Sequence, residues 1–473
     1  MTALLVSLLL FGLGAASSLI FARRERWVRL LGAGGVILGS ICGFVPAIRV
    51  AMGAPPESLR MAWDVPYGSL YLRLDALSAF FLVPIFLISA LAAIYGTEYL
   101  EAYRARKSLA PAWFFLNVLA ASMVVVVLAN NAVLFLMAWE SMALSSFFLV
   151  TFENEKEPTR QAGWTYLVAS HIGAAFLLVL FVLLGKSNGS LDFDRFSPAS
   201  SAGALFVLAL VGFGAKAGFV PLHVWLPEAH PAAPSHVSAV MSAVMIKTGI
   251  YGLLRILTFL GPMQAWWGWT LCAIGLSSGI LGVLLALAQH DLKRLLAYHS
   301  VENIGIIALG VGVGIVGLSL GEIFVAVAGF AGALLHVLNH ALFKSLLFLD
   351  AGNIAHTTHT REIDRLGGLL TRMPGTGATF LVGAAAISGL PPLNGFISEF
   401  LIYLASFKGA VSLGAFGSVP MLATISGLAL IGGLAVACFT KAFGIRVIVK
   451  CCGLAGHDQA ASPVRLSVDL LMG

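Results

Sequence analysis

The chain has 473 residues, 59% of them hydrophobic and 11% charged, with a formal net charge of +6. A water-soluble domain carries about 25% charged residues, so this composition excludes a soluble globular fold of that size. The basic balance includes no Lys/Arg run long enough to suggest nucleic acid as a partner.

The remaining solvent is a lipid bilayer, where only helices and closed barrels satisfy the backbone and a helix needs about 20 apolar residues to cross. The apolar segments here are 17 to 30 residues long and lack strand alternation, which predicts an all-α, polytopic membrane protein of about 13 transmembrane helices. In chain order the predicted spans are 3–21, 30–52, 75–98, 112–128, 131–151, 163–184, 202–225, 235–258, 266–288, 297–317, 321–349, 376–405 and 420–445. The first lacks a basic stretch ahead of its apolar run and carries Arg23, Arg24, Arg26 and Arg29 behind it. That order reads as a retained signal-anchor helix, not a cleaved leader.

Taking connections and span ends together, the odd-numbered connections up to the eleventh hold fourteen basic residues: Arg23, Arg24, Arg26, Arg29, Arg104, Arg106, Lys107, Lys156, Arg160, Lys293, Arg294, Arg361, Arg365 and Arg372. The even-numbered ones hold seven: Arg49, Arg60, Arg73, Lys186, Arg195, Arg255 and Lys408. The positive-inside bias therefore places the odd connections in the cytoplasm and the N-terminus outside.

Several charges fall inside the spans. Glu140, in "LFLMAWESMALSSFFL", is the one acidic or basic residue between Lys107 and Glu153. Lys216, in "LVGFGAKAGFVPLHVW", stands alone between Phe196 and Pro227. Lys247, Lys344 and Glu399 are similarly isolated, and Lys441 lies near one end of the last span, where it is expected to snorkel. A charge at the bilayer centre costs about 2.5–3.5 kcal/mol on insertion scales, so five together cost roughly 12–17 kcal/mol. Each must face a protein interior, a water-filled cavity or an opposite charge. One buried Lys–Glu pair would be helix glue, whereas five charges on five spans, with two histidines, point to a proton or ion pathway.

The residue types suit proton work. A desolvated lysine loses its proton more readily, and a nearby carboxylate restores its hold. Histidine titrates near neutrality. His336 and His340 are four residues apart and Lys344 is four further on, which places all three on one helix face. No third ligand accompanies the histidines, so no metal site is expected. The charged spans also contain breakers: Pro221 follows Lys216 by five residues, and Pro391 and Pro392 precede Glu399. Interrupted membrane helices line cavities and hold ions in transporters. The two interruptions occupy corresponding places in two five-helix blocks, 112–258 and 266–445, a hint of an internal repeat.

Cys42, Cys272, Cys438, Cys451 and Cys452 form no C-x-x-C pair, so they read as packing residues and not as an iron–sulfur or zinc framework. "GVGIVG" at Gly312–Gly317 matches a dinucleotide fingerprint formally, but it lies inside an apolar span with no strand before it and reads as close helix packing.

The segments "WESMALSSFFLV", "KAGFVPLHVWLPEAHPAAPSHVSAVMSAVMIKTGIYGLLR", "HDLKRLLAYHSVENIG", "HVLNHALFKSLLFLDAGNI" and "LPPLNGFISEFLIY" resemble the antiporter-like proton-pumping subunits of respiratory complex I. Membrane hydrogenases and Mrp-type cation/proton antiporters belong to the same group, and the resemblance runs from about residue 65 to residue 450. "LPEAHPAAPSHVSAVMSAVMIKTGIYG" and "PPLNGFISE" look most like the large membrane subunits of hydrogenase-4 and formate hydrogenlyase, component B.

The resemblance implies three N-terminal helices (1–110), two inverted five-helix repeats with broken helices (111–260 and 261–450) and a tail (451–473). Members continue for at least one more helix, so the tail is expected to be incomplete. Glu140 matches the family's fifth-helix glutamate, which pairs with the seventh-helix lysine, here Lys216. Lys247 matches the lysine linking the two halves, His336 and His340 match the eleventh-helix histidines, and Lys344 lies one turn on. Glu399 matches a terminal charge that is Lys in some relatives. That difference leaves Lys344 or Lys408 as alternatives for the exit step. His223 and His230 would line an input channel.

The implied function is a proton-translocating subunit of an energy-converting oxidoreductase of hydrogenase or NADH-quinone oxidoreductase type, in a prokaryotic inner membrane. No cofactor is expected in this chain. Iron–sulfur clusters and a NiFe centre or flavin would sit in partner subunits, with other membrane subunits, peripheral redox subunits and lipid as partners. The alternatives are a Na⁺/H⁺ antiporter subunit, the membrane half of an inorganic-carbon uptake pair, and a purely structural anchor.

Overall fold

The computed structural model describes residues 1–442, apart from 62, 64, 66, 67, 199 and 200. The expected tail, 451–473, with Cys451 and Cys452, lies outside the described residues. Among those described, eleven helices are long and apolar enough to cross a membrane by length and composition, and the protein is a multi-pass, all-α membrane protein.

The helices are α1 (Thr2–Ile20), α2 (Glu25–Ala51), α3 (Ala76–Tyr99), α4 (Ala110–Leu128), α5 (Ala132–Val150) and α6 (Glu157–Asn188). They continue as α7 (Ala202–Ala217), α8 (Leu226–Ala232), α9 (Ser235–Leu257), α10 (Ala265–Leu287), α11 (Leu292–Ser319) and α12 (Ile323–Thr358). The last are α13 (Pro374–Ile387), α14 (Asn394–Ser412) and α15 (Gly414–Phe439). Local chemistry fixes several ends. The Asn131 side chain accepts from the Val133 and Leu134 amides to start α5, and Asp291 accepts from the Arg294 amide to start α11. Gly218, at φ +87°, ends α7 in a left-handed conformation.

Three features depart from the predicted spans. A two-stranded antiparallel hairpin, β1 (Glu57–Met61) and β2 (Leu70–Leu74), stands between α2 and α3. The seventh span stops at Ala217, and the twelfth splits into α13 and α14 around residues 388–393. Proline contributes to both stops, because Pro221, Pro391 and Pro392 lack a backbone amide, although Pro46, Pro84 and Pro420 are accommodated inside α2, α3 and α15. The eleventh span, by contrast, runs unbroken for 36 residues as α12.

The chain divides into two compact units. The first contains Met1–Gly218 and Ala232–Pro262; the second contains Phe219–Pro231 and the described residues from Met263 onward. Within the first, Arg255 near the end of α9 makes paired bonds of 2.6 and 2.7 Å to both oxygens of Asp75, which also caps α3 through the Ser78 amide at 2.9 Å. Removing one partner from such an enclosed pair leaves an uncompensated charge. We expect Arg255→Ala to destabilise the protein by about 3 kcal/mol, seen as a lowered thermal unfolding midpoint in detergent. An unchanged midpoint would show that the pair contributes nothing.

Within the second unit, α10 and α11 meet through small residues. A Cβ on Gly312 would lie 2.7 Å from the Gly268 carbonyl oxygen, so the backbones approach at a distance that only glycine permits. This is the packing expected of "GVGIVG". Lys441 is anchored by backbone: its Nζ donates to the Leu287 and Gln289 carbonyls at 2.9 and 3.3 Å and so caps the end of α10.

Candidate functional site

In the first unit, α7 carries Lys216 on its last turn, 3% exposed. Its Nζ donates to the Tyr166 hydroxyl on α6 at 2.9 Å and lies 5.1 and 5.9 Å from the centres of the Tyr166 and Trp139 rings. These contacts hold a cation by one hydrogen bond and two aromatic faces. Around them stand Met245, 3.0 Å from the Ser146 hydroxyl, and Met142, 3.6 Å from the Thr248 hydroxyl. The setting is buried and polarisable.

The direct Lys216–Glu140 pair implied by the resemblance does not form. Glu140 turns away, 35% exposed, with its carboxylate 3.5 Å from Nε2 of His171 on α6. The reason is helical rotation: Trp139 faces inward toward Lys216, and the next residue is turned by about 100°. Met137 and Leu144, three and four residues from Glu140, are likewise exposed, so Glu140 sits on the outward stripe of α5.

Lys247 is 2% exposed and donates to the Ser242 carbonyl. That carbonyl belongs to a turn of π-helix, Met241–Met245, where the regular ladder is interrupted and a side chain can reach the backbone. Gly249 brings α9 against α7 here, since a Cβ on it would lie 2.6 Å from the Phe213 carbonyl oxygen.

In the second unit, α12 carries His336, His340 and Lys344, all 0% exposed. The two imidazoles lie nearly parallel with centres 6.5 Å apart, as the four-residue spacing predicts. His336 bridges three helices: Nε2 is 3.0 Å from the Asn303 amide oxygen on α11, and Nδ1 is 2.9 Å from the Ser398 hydroxyl on α14. Lys344 Nζ has no hydrogen-bond partner among the described residues and lies 5.7 Å from the Phe348 ring centre. Glu399, 7% exposed on α14, reaches back across the break between α13 and α14. There a Cβ on Gly389 would come within 2.7 Å of its carboxylate oxygen, and Gly389 itself sits at φ +62°. The exit-step alternative Lys408 lies one helical stretch further along α14 and is exposed.

His230, on α8, is 0% exposed between Trp225 and Phe348, with ring centres 5.9 and 5.7 Å away. His223 is half-buried, its ring 6.5 Å from that of Tyr298. Both histidines belong to the second unit, whereas Lys216 and Lys247 belong to the first.

Four residues near these groups were not singled out from sequence. Tyr166 and His171 carried no signal there, because an aromatic hydroxyl and a lone histidine in an apolar span are ordinary. His299 is a lone histidine of the same kind, but Glu302 did carry a signal. Glu302 is the one acidic or basic residue between Arg294 and Glu322, which is the criterion that found Glu140 and Lys216.

Among the described residues, no cluster of three or more His, Cys, Asp or Glu side chains is arranged to hold a metal ion.

Residues 129–422 match the family described as NADH:quinone oxidoreductase/Mrp antiporter, TM. The chain is 43% identical over 450 residues to hydrogenase-4 component B of Escherichia coli (strain K12), covering 93% of this chain and 66% of that protein. It is 34% identical over 447 residues to formate hydrogenlyase subunit 3 of the same organism, covering 93% of this chain and 70% of the relative. Its fold is similar to a chain in the structure of the Mrp complex from Dietzia sp. DQ12-45-1b, with TM-score 0.79, 28% identity and coverage of 93% of this chain and 47% of that one. The chain thus spans about two thirds of the length of these two curated relatives.

Proposed function

From a chain that belongs to the NADH:quinone oxidoreductase/Mrp antiporter transmembrane family, we propose a proton-translocating membrane subunit of an energy-converting oxidoreductase, of the hydrogenase-4 and formate hydrogenlyase type. The observation that carries this reading is the set of enclosed titratable groups in each unit: Lys216 and Lys247 in the first, His336, His340, Lys344 and Glu399 in the second. The 43% identity to hydrogenase-4 component B supports the redox-driven branch.

In this reading the chain supplies proton carriers and no redox centre. Iron–sulfur clusters and a NiFe centre or flavin belong to peripheral partner subunits. A charge change at one end alters the next group's hold on its proton, which the low dielectric of a dry interior makes effective. Lys216 stores a proton against Tyr166 and two ring faces and passes it toward Lys247. His336, held by Asn303 and Ser398, and His340, one turn further along α12, relay protons in the second half, with Lys344 and Glu399 at its end. His223 and His230 belong to an entry path. The repeats at 111–260 and 261–450, the inner membrane and the external N-terminus complete the proposal.

The outward Glu140–His171 pair supports partner membrane subunits. Left facing lipid, a charge at this depth costs about 2.5–3.5 kcal/mol, and a covering helix would remove that cost.

The likeness to an Mrp complex keeps a Na⁺/H⁺ antiporter as the second reading, with an inorganic-carbon uptake subunit beside it. The test is redox-driven proton uptake by inverted vesicles carrying the whole complex, with sodium replaced by choline. Proton uptake that survives the replacement supports the proposal. Uptake that requires sodium, or that proceeds from an imposed ion gradient without electron flow, assigns the chain to the antiporters.

A further inference from the structure

The most enclosed helix of the second unit is α11, with 94% of its apolar window buried. A helix buried all round gains nothing from polar groups unless they are satisfied or used. Yet one turn of α11 carries His299, Glu302 and Asn303, at 0%, 1% and 0% exposure. Asn303 is accounted for by His336 and by the His299 carbonyl, to which its amide donates at 2.8 Å. The other two bond to each other, His299 Nδ1 to Glu302 Oε2.

That bond contains one proton, since a ring nitrogen and a carboxylate oxygen cannot meet without it. Nε2 of His299 has no nitrogen or oxygen partner among the described residues, the Cys438 thiol lies within hydrogen-bonding reach of the imidazole, and the ring face stacks on Phe439 with centres 4.6 Å apart. A second proton can therefore bind at Nε2, taking the pair from one negative charge to neutral. The titratable groups around the pair come from three elements: Lys344, with His336 and His340, on α12; Glu399 on α14; and Cys438 on α15, which interacts with His299. α10 adds no ionisable group other than Cys272, and its Gly282 backs the pair closely, a Cβ there lying 2.7 Å from the Glu302 amide nitrogen. Glu302 interacts electrostatically with both Lys344 and Glu399.

We propose that His299 and Glu302 form a proton-carrying site of the second unit, loading and releasing one proton at the imidazole, with Glu302 as the counter-charge of Lys344. The site fills the role in the second unit that Glu140, turned outward, does not fill for Lys216 in the first. This inference rests on the function proposed above. In each cycle a proton arrives at His299 Nε2, the pair becomes neutral, and Lys344, having lost its counter-charge, gives up its own proton. Release from His299 restores the anion and Lys344 reloads. No bond other than those to hydrogen is made or broken.

The test uses the assembled complex in inverted vesicles and reads electron transfer, proton uptake per electron and subunit content together. Glu302→Gln keeps the size and a hydrogen-bond acceptor but cannot carry the charge; Glu302→Asp keeps the charge. The expected result is a tenfold or greater fall in protons per electron for Glu302→Gln. Glu302→Asp should recover much of it with a displaced pH profile. A ratio and pH profile equal to wild type in Glu302→Gln overturns the site and makes the pair a packing device. If Glu302→Gln does not assemble, His299→Gln serves instead: a displaced pH profile of uptake supports the site, and an unchanged one overturns it. Wild-type vesicles report separately on the underlying function, because a wild-type complex that moves no protons on electron transfer fails whatever the variants do.

Discussion

Replacing Lys216 by alanine is expected to reduce redox-driven proton uptake by about a hundredfold, the lower end of what a positioned proton-transfer group contributes, while the complex still assembles. The geometry explains why assembly should survive. Lys216 makes one hydrogen bond, to Tyr166, and its ring contacts are to residues that α5 and α6 already bury. Removing the ammonium leaves a neutral hydroxyl, not an orphaned carboxylate, because Glu140 is engaged with His171. Tyr166→Phe is the companion: it removes the oxygen, retains the ring face, and should weaken proton uptake far less. Uptake in inverted vesicles of wild type and both variants decides the matter. Full uptake by Lys216→Ala would make the lysine a satisfied buried charge and the chain a scaffold.

The second large effect is expected at Lys344, where alanine and arginine should fail for opposite reasons. Alanine has no proton to carry. Arginine keeps the positive charge that Glu302 senses, but its guanidinium does not release a proton at any accessible pH. A role confined to charge balance would therefore be restored by Lys344→Arg, and a role in proton transfer would not. Both variants are expected to lose about a hundredfold in proton uptake, with Lys344→Arg assembling better than Lys344→Ala, which leaves the Glu302 carboxylate uncompensated. Wild-type uptake in Lys344→Arg would reduce the residue to a counter-ion.

The difference between the two lysines lies in their surroundings. Both are almost completely buried, but Lys216 has a hydroxyl to donate to and Lys344 has none among the described residues. Lys247 takes a third solution, bonding to a backbone carbonyl that a π-turn exposes.

The amino-acid sequence by itself determined the solvent and the general architecture. Charged residues are too few to cover a water-facing surface, and apolar stretches of bilayer length force helices. The same scarcity made the deep charges visible: Lys216, Lys247, Lys344 and Glu399 each stand alone in an apolar stretch, and each is buried in the structure. The helix interruptions were legible in part: Pro221 and Pro391–Pro392 mark them, but Pro46, Pro84 and Pro420 lie inside unbroken helices, so packing decided which prolines end a helix.

Direction and partnership were decided by tertiary structure. A lone glutamate in an apolar span looks the same whether it points inward or outward. The rotation of α5 turned Trp139 in and Glu140 out, and no spacing within one helix reveals which neighbour occupies which side. The four-residue spacing of His336, His340 and Lys344 set their shared face, but Asn303 and Ser398, which lock His336, come from α11 and α14, 33 residues before it and 62 after. Glu302 shows the same division. Its isolation is written in the sequence, as is the three-residue spacing from His299, while its electrostatic interactions with Lys344 and Glu399 exist only once α11, α12 and α14 are packed together. Hydrophobic periodicity records how much of a helix avoids water; the identity of the side chains that meet is settled by packing over long sequence separations.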